Sequence, residues 1–142
     1  MIKISRLADY SFIILSYLAA YPNQLYSAAA LAERTGIVLP TVSKILKLLN
    51  DSQIIQSSRG SNGGYLLAKE AGQLNLAEII GAVDGKPALT ECCQIENNCI
   101  HDMHCNLRSH WQFINKIINQ VLSQFTLADL KDPAVIDQWR RP

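Results

Sequence analysis

The chain has 142 residues, 49% of them apolar and 18% charged, about one domain's worth of sequence and too hydrophobic for intrinsic disorder. No run approaches the roughly 18 consecutive apolar residues of a membrane span, so a soluble globular protein is expected. The net charge of +1 conceals an asymmetry: residues 1–70 hold seven Lys/Arg against four Asp/Glu, and 71–142 hold six against eight.

Lys3 and Arg6 precede an apolar stretch at 12–20, the outline of a secretory signal, but Asp9, Tyr10, Ser11 and Ser16 interrupt it. Leu7, Ile14, Leu15 and Leu18 recur at helical spacing, which predicts a core helix over 5–20 ended by Tyr21-Pro22-Asn23. A cytoplasmic chain is therefore expected, where disulfides are rare. Ser27 is a good N-cap for a short helix over 28–34, and Gly36 stands where a left-handed C-terminal residue is expected. Pro40 supplies the preset φ of a first helical position for a third helix running to about Asp51. Two short helices joined by a tight glycine turn make a helix-turn-helix candidate.

At about 100° per residue, Val42, Ile45, Leu46 and Leu49 fall within one arc of the third helix. Thr41, Ser43, Lys44 and Lys47 occupy the other side, a pattern shared by recognition helices and ordinary amphipathic surface helices. The strand-like runs 54–58 and 65–68 flank Arg59-Gly60-Ser61-Asn62-Gly63-Gly64, which reads as a hairpin. This glycine-rich turn lacks both the G-x-G-x-x-G spacing and the Lys-Ser/Thr of a P-loop. A hairpin directly after a helix-turn-helix makes a winged helix, in which Arg59 at the wing tip is placed to enter a minor groove.

Asn75 with Glu78 three residues on resembles a capping box opening a fourth helix to about Val83, closed by Asp84-Gly85. Residues 86–106 then lose all periodicity and contain every cysteine: Cys92, Cys93, Cys99 and Cys105. Zinc knuckles favour cysteines two to four residues apart, so gaps of five fit an iron-sulfur cluster better than a single zinc ion; a disulfide is the third reading. Three evenly spaced cysteines leave a cluster one ligand short, with Cys92, one of His101, His104 and His110, or a group from elsewhere to complete it. A non-thiolate fourth position is where oxygen, nitric oxide or cluster loss acts in a sensor.

Trp111, Ile114, Ile118, Val121 and Phe125 recur at three- and four-residue steps on a long helix over about 106–124, a seam suited to dimerisation. Gln112, Asn115, Lys116, Asn119 and Ser123 are expected on its other side. Beyond it, 126–142 reads as one capped turn and a tail. The histidines are confined to the cysteine loop and the following helix, and no nucleophile-base constellation points to an enzyme.

A winged helix, a three-cysteine loop and a terminal helix, in this order, resemble the cluster-sensing transcription factors that include IscR, NsrR and RsrR. The resemblance covers residues 1 to about 131. It rests on Ala8-Asp9-Tyr10, Pro40-Thr41-Val42-Ser43-Lys44, Arg59-Gly60 with Gly63-Gly64-Tyr65, and Cys93, Cys99 and Cys105. Leu39-Pro40-Thr41-Val42-Ser43-Lys44, Leu89-Thr90-Glu91-Cys92 and Arg108-Ser109-His110-Trp111 look most like the SUF-type cluster-assembly regulators.

The resemblance implies a mainly α protein with a small β-hairpin. Its winged helix-turn-helix would span 1–85, its cluster loop 86–106, its dimerisation helix and cap 107–131, and its tail 132–142. It implies a homodimer on a double-stranded DNA operator, with neither membrane nor small-molecule substrate as partner. Pro40, Thr41, Ser43, Lys44 and Lys47 would enter or flank a major groove, and Arg59, Gly60, Ser61 and Tyr65 would form the wing contact. IscR-like members place a histidine ligand three residues after the last cysteine, where this chain has Arg108, which cannot ligate. NsrR-like members use a carboxylate of the partner's first helix, and Asp9 stands at that position. The implied ligand set is Cys93, Cys99, Cys105 and a partner-chain Asp9 holding a 4Fe-4S cluster, with 2Fe-2S as the alternative.

Overall fold

The computed structural model describes residues 3–96, 99–101 and 104–134. The tail assigned to 132–142 lies outside the described residues from position 135 on.

The first two helices of the head each begin where a serine side chain satisfies an otherwise orphaned backbone N–H. In α1 (Arg6–Ala20) Ser5 Oγ accepts the Ala8 N–H at 3.0 Å, and in α2 (Ala28–Thr35) Ser27 Oγ accepts the Ala30 N–H at 3.1 Å. Gly36 closes α2 at φ 71°, its N–H donating to the Ala32 carbonyl at 3.0 Å. The next helix, α3 (Leu39–Asp51), starts one residue earlier than Pro40 predicts. Leu39 takes the first helical position and Pro40 the second, where a missing N–H is equally harmless.

Strands β1 (Ile55–Ser58) and β2 (Gly64–Leu67) pair antiparallel, Ile55 opposite Leu67 and Ser58 opposite Gly64. A third segment joins them. Tyr26 exchanges both backbone hydrogen bonds with Tyr65, at 3.1 and 2.8 Å, tying the base of the wing to the α1–α2 connection. Gly64 permits that approach, since a Cβ there would stand 2.7 Å from the Tyr26 backbone. The Tyr17 ring packs against those of Tyr21 and Tyr26 with centroids 5.1 Å away in each case, bracing the same junction.

Helix α4 (Leu76–Asp84) packs on α1 and α3, and α5 (Arg108–Gln124) packs on α4. Asn75 caps α4 through the Glu78 N–H at 2.9 Å, but Glu78 does not reach back, because its carboxylate pairs with Lys69 at 2.8 Å. The capping box is therefore half formed. The core comprises Ile14, Leu15 and Leu18 of α1, Leu31 of α2, the arc Val42, Ile45, Leu46 and Leu49 of α3, and Ile54, Leu74 and Ile79. Leu127, beyond α5, is fully buried in it.

Gly64→Ala tests the wing anchor. The added methyl has no space against the Tyr26 backbone, so denaturant unfolding should show a loss of about 1 to 3 kcal/mol. Unchanged stability would mean that the Tyr26 pairing is dispensable.

Candidate nucleic-acid interface and cysteine loop

Burial of the apolar arc of α3 forces its other side outward. Ser43, Lys44 and Lys47 are exposed, as is Pro40 in the first turn, and Thr41 is half-buried. Arg59, Gly60 and Ser61 form the exposed hairpin tip, where Gly60 takes φ 115° and its carbonyl accepts the Gly63 N–H at 3.0 Å. Among the described residues Lys44, Lys47 and Arg59 have no carboxylate partner, so their charge faces solvent. Tyr65 differs: it lies half-buried against the core, and its backbone belongs to the Tyr26 junction.

The cysteine segment is built in two parts. Its beginning is fastened to α5 by amide side chains. Asn115 Oδ1 accepts the Leu89 N–H at 2.9 Å, Asn119 Nδ2 donates to the Pro87 carbonyl at 3.0 Å, and Gln112 Nε2 donates to the Cys92 carbonyl at 3.2 Å. The sequence reading puts these amides on the outer side of the helix; the structure turns them onto 87–92, a stretch without a strand or α-helix to satisfy its backbone. A 3-10 turn, Glu91–Cys93, follows. Cys92 is buried, and Thr90 Oγ1 lies 3.1 Å from its Sγ and 3.2 Å from that of Cys93.

Beyond the turn, residues 94–107 include no α-helix or strand among those described. Cys93, Cys99 and Cys105 are half-buried. Among the described residues no three His, Cys, Asp or Glu side chains converge on a point that would hold a metal ion. Asp9 sits exposed in the first turn of α1, on the side away from its buried residues Ala8, Ser11, Ile14, Leu15 and Leu18. The structure thus fixes Cys93 but does not gather it with Cys99, Cys105 and Asp9 within one chain.

The apolar face of α5 is wider than one seam. Trp111, Ile114 and Ile118 line a groove of roughly 560 Å³ together with Ile80 of α4 and Leu89. Phe113, Ile117 and Val121, 64%, 43% and 43% exposed, form a further stripe turned outward. Phe125 ends the helix, half-buried, and its carbonyl accepts the Leu76 N–H at 2.9 Å. Phe113 and Ile117 lie outside the expected seam, although with Val121 they recur at four-residue steps.

Helix-turn-helix, paired wing and a following long helix define a winged-helix DNA-binding protein. The model of the Rrf2 family, iron-dependent transcriptional regulators, matches residues 4–133, and the chain belongs to this family. The chain is 32% identical over 130 residues to the HTH-type transcriptional regulator NsrR of Shouchella clausii, covering 90% of this chain and 87% of that one. The solved structure of IscR from T. potens superposes with a TM-score of 0.70 at 26% identity, over 94% of this chain and 88% of the other. The structure of CymR, the global cysteine regulator of B. subtilis, gives the same TM-score at 24% identity over 92% and 96%, a likeness of fold. Regulators of this family bind DNA, and the matched relatives are regulators rather than enzymes.

The amide fastening has a local signature. In Asn115→Ala the Leu89 N–H loses its acceptor, so its hydrogen exchange should accelerate at least tenfold and stability should fall by about 1 kcal/mol. Exchange at the wild-type rate would show that Asn115 does not hold the segment.

Proposed function

We propose that this chain is a homodimeric regulator that senses iron-sulfur cluster status or redox stress through a bound cluster and controls cluster-assembly (SUF) genes. The observation that carries the reading is the cysteine segment: one thiol held on a turn fastened to α5, followed by two half-buried thiols on an irregular loop. Thiols in this setting suit soft iron-sulfur chemistry, and their spacing suits a group larger than one ion. Cys93, Cys99 and Cys105 of one chain with Asp9 of its partner would hold the group, 4Fe-4S in preference to 2Fe-2S. Bound there, it would supply a link between subunits that oxygen or nitric oxide can break at the carboxylate position. The exposed position of Asp9, away from its own core, is what a ligand offered to another subunit requires.

The chain's own residues do the rest. Phe113, Ile117 and Val121 offer the outward stripe on which a second α5 packs, with Trp111, Ile114, Ile118 and Phe125 beside it. Thr41, Ser43, Lys44 and Lys47 face a major groove, with Pro40 setting the start of their helix, while Arg59, Gly60 and Ser61 reach the adjacent minor groove. Tyr65 sets the base of the wing. Two heads read two half-sites when their recognition helices match the groove repeat of about 34 Å. A subunit link worth about 1 to 3 kcal/mol, the usual allosteric range, changes operator affinity by roughly 5- to 150-fold. The cytoplasm is the compartment for this work; no described helix is long and apolar enough to cross a membrane.

A second reading keeps the DNA-binding head and leaves the loop with zinc or without metal. The lack of a converged donor set among the described residues favours its metal-free form over its zinc form. Iron and acid-labile sulfide measured per chain after purification without oxygen decide between the two. Equal amounts, near four of each, are expected, and Asp9→Ala should retain DNA binding yet lose its visible absorption in air faster than wild type. Zinc alone or no metal refutes the cluster reading, and an unaltered lifetime in Asp9→Ala refutes the ligand assignment.

Operator binding offers an independent check. Lys44→Ala should weaken binding and reduce the salt slope by about one, as expected for a lost phosphate contact. Arg59→Ala should weaken binding and relax preference at one flank of the site. An unchanged footprint and affinity would remove the wing from the interface.

A further inference from the structure

The neighbouring thiols Cys92 and Cys93 have one hydroxyl between them. Thr90 Oγ1 lies 3.1 Å from one sulfur and 3.2 Å from the other, and a hydroxyl has a single proton to donate. At most one sulfur can therefore accept from it, and the other contact is a hydrogen bond only if that thiol donates its own S–H to the oxygen. Burial distinguishes the two: Cys92 is 8% exposed, while Cys93 is half-buried at the mouth of the loop that carries Cys99 and Cys105. A sulfur that binds a metal has no proton to give, so a ligating Cys93 is the acceptor and Cys92 the donor.

We propose that Thr90 is a positioning residue for the first ligand: it takes the Cys92 S–H and directs its own O–H at the Cys93 sulfur. The inference rests on the cluster reading above. Cys92 is then not a reserve ligand but a thiol that sets the direction of the Thr90 proton. The arrangement is held from both sides. The Thr90 carbonyl accepts the Cys93 N–H at 3.0 Å, closing the turn, and Gln112 and Asn115 of α5 grip the Cys92 carbonyl and the Leu89 N–H that flank it. A hydrogen bond donated to a ligating sulfur withdraws electron density from it. That favours the reduced state of the bound metal and slows oxidative loss.

Thr90→Val keeps the shape of the side chain and removes the proton, while Thr90→Ser keeps the proton. Anaerobic redox titration of the iron-loaded protein should find Thr90→Val shifted to a more negative midpoint by roughly a three- to tenfold change in the reduction equilibrium. The full tenfold corresponds to about 59 mV for one electron. The same variant should bleach faster in air, and Thr90→Ser should match wild type in both respects. Cys92→Ala, which leaves Thr90 in place, should retain its full complement of iron and sulfide.

Loaded Thr90→Val with a wild-type midpoint would overturn the inference and leave the cluster reading standing. Loss of iron from Cys92→Ala would also overturn it, by making Cys92 a ligand, whether or not the valine variant folds. Wild-type protein that holds no iron and sulfide overturns both.

Discussion

After α5 the chain turns back into the head, and the position of the long helix depends on that return. Leu127 is fully buried among the core side chains; its N–H donates to the Leu74 carbonyl at 2.8 Å, and the Leu76 N–H donates to the Phe125 carbonyl at 2.9 Å. Asn75 and Thr126 thereby pair as a single bridge at the start of α4. Thr126 and Asp129 fix the turn that follows, the Asp129 carboxylate accepting the Thr126 N–H and O–H at 2.7 and 2.8 Å. With its C-terminal end pinned at the entrance of α4, α5 lies along that helix. Its amide side chains then meet residues 87–92, and the first cysteines follow. A fully buried leucine contributes on the order of 1.5 to 3 kcal/mol by area alone, and here it also sets the geometry of a region far along the chain.

The head was legible because its local signals agree. Ser27 and Asn75 cap the helices they precede, Gly36 ends α2 in the left-handed conformation, and the α3 arc read from spacing is the arc that is buried, whereas Ser5, read as the first residue of α1, is its cap. What escaped the sequence depends on partners distant in the chain. Tyr26 gives no strand signal alone and pairs only because Gly64 lets the wing approach. Glu78 has the spacing of a capping box, yet Lys69, nine residues earlier, captures its carboxylate. Leu127 lies past the end of α5 in the short run Phe125-Thr126-Leu127-Ala128, where no periodicity tells which apolar residue packs into the core.

The α5 amides show the same limit from the other side. Gln112, Asn115 and Asn119 have the composition of a solvated helix face, and binary patterning sends them outward. Amides can also serve an irregular segment whose backbone donors and acceptors have no ladder, and 87–92 is such a segment. The result is an α5 with three distinct sides: an apolar side toward α4, an amide side toward the cysteine segment, and an outward apolar stripe at Phe113, Ile117 and Val121.

The cysteine spacing acquires its meaning from that division. Cys93 is set in place by the Thr90–Cys93 turn, whereas Cys99 and Cys105 lie in a stretch with no α-helix or strand among its described residues. Bringing two further thiols to the first costs loop-closure and backbone entropy, on the order of 1 to 2 kcal/mol for each residue that must be fixed. On the proposed reading, that cost is met by metal-thiolate bonding, so ligation and ordering of the loop are one equilibrium. A site fully formed in advance would hold its metal more firmly and respond less. On the same reading, a fixed first ligand followed by ligands that must be recruited would leave the bound state only moderately favoured, the condition under which a small chemical change can reverse it.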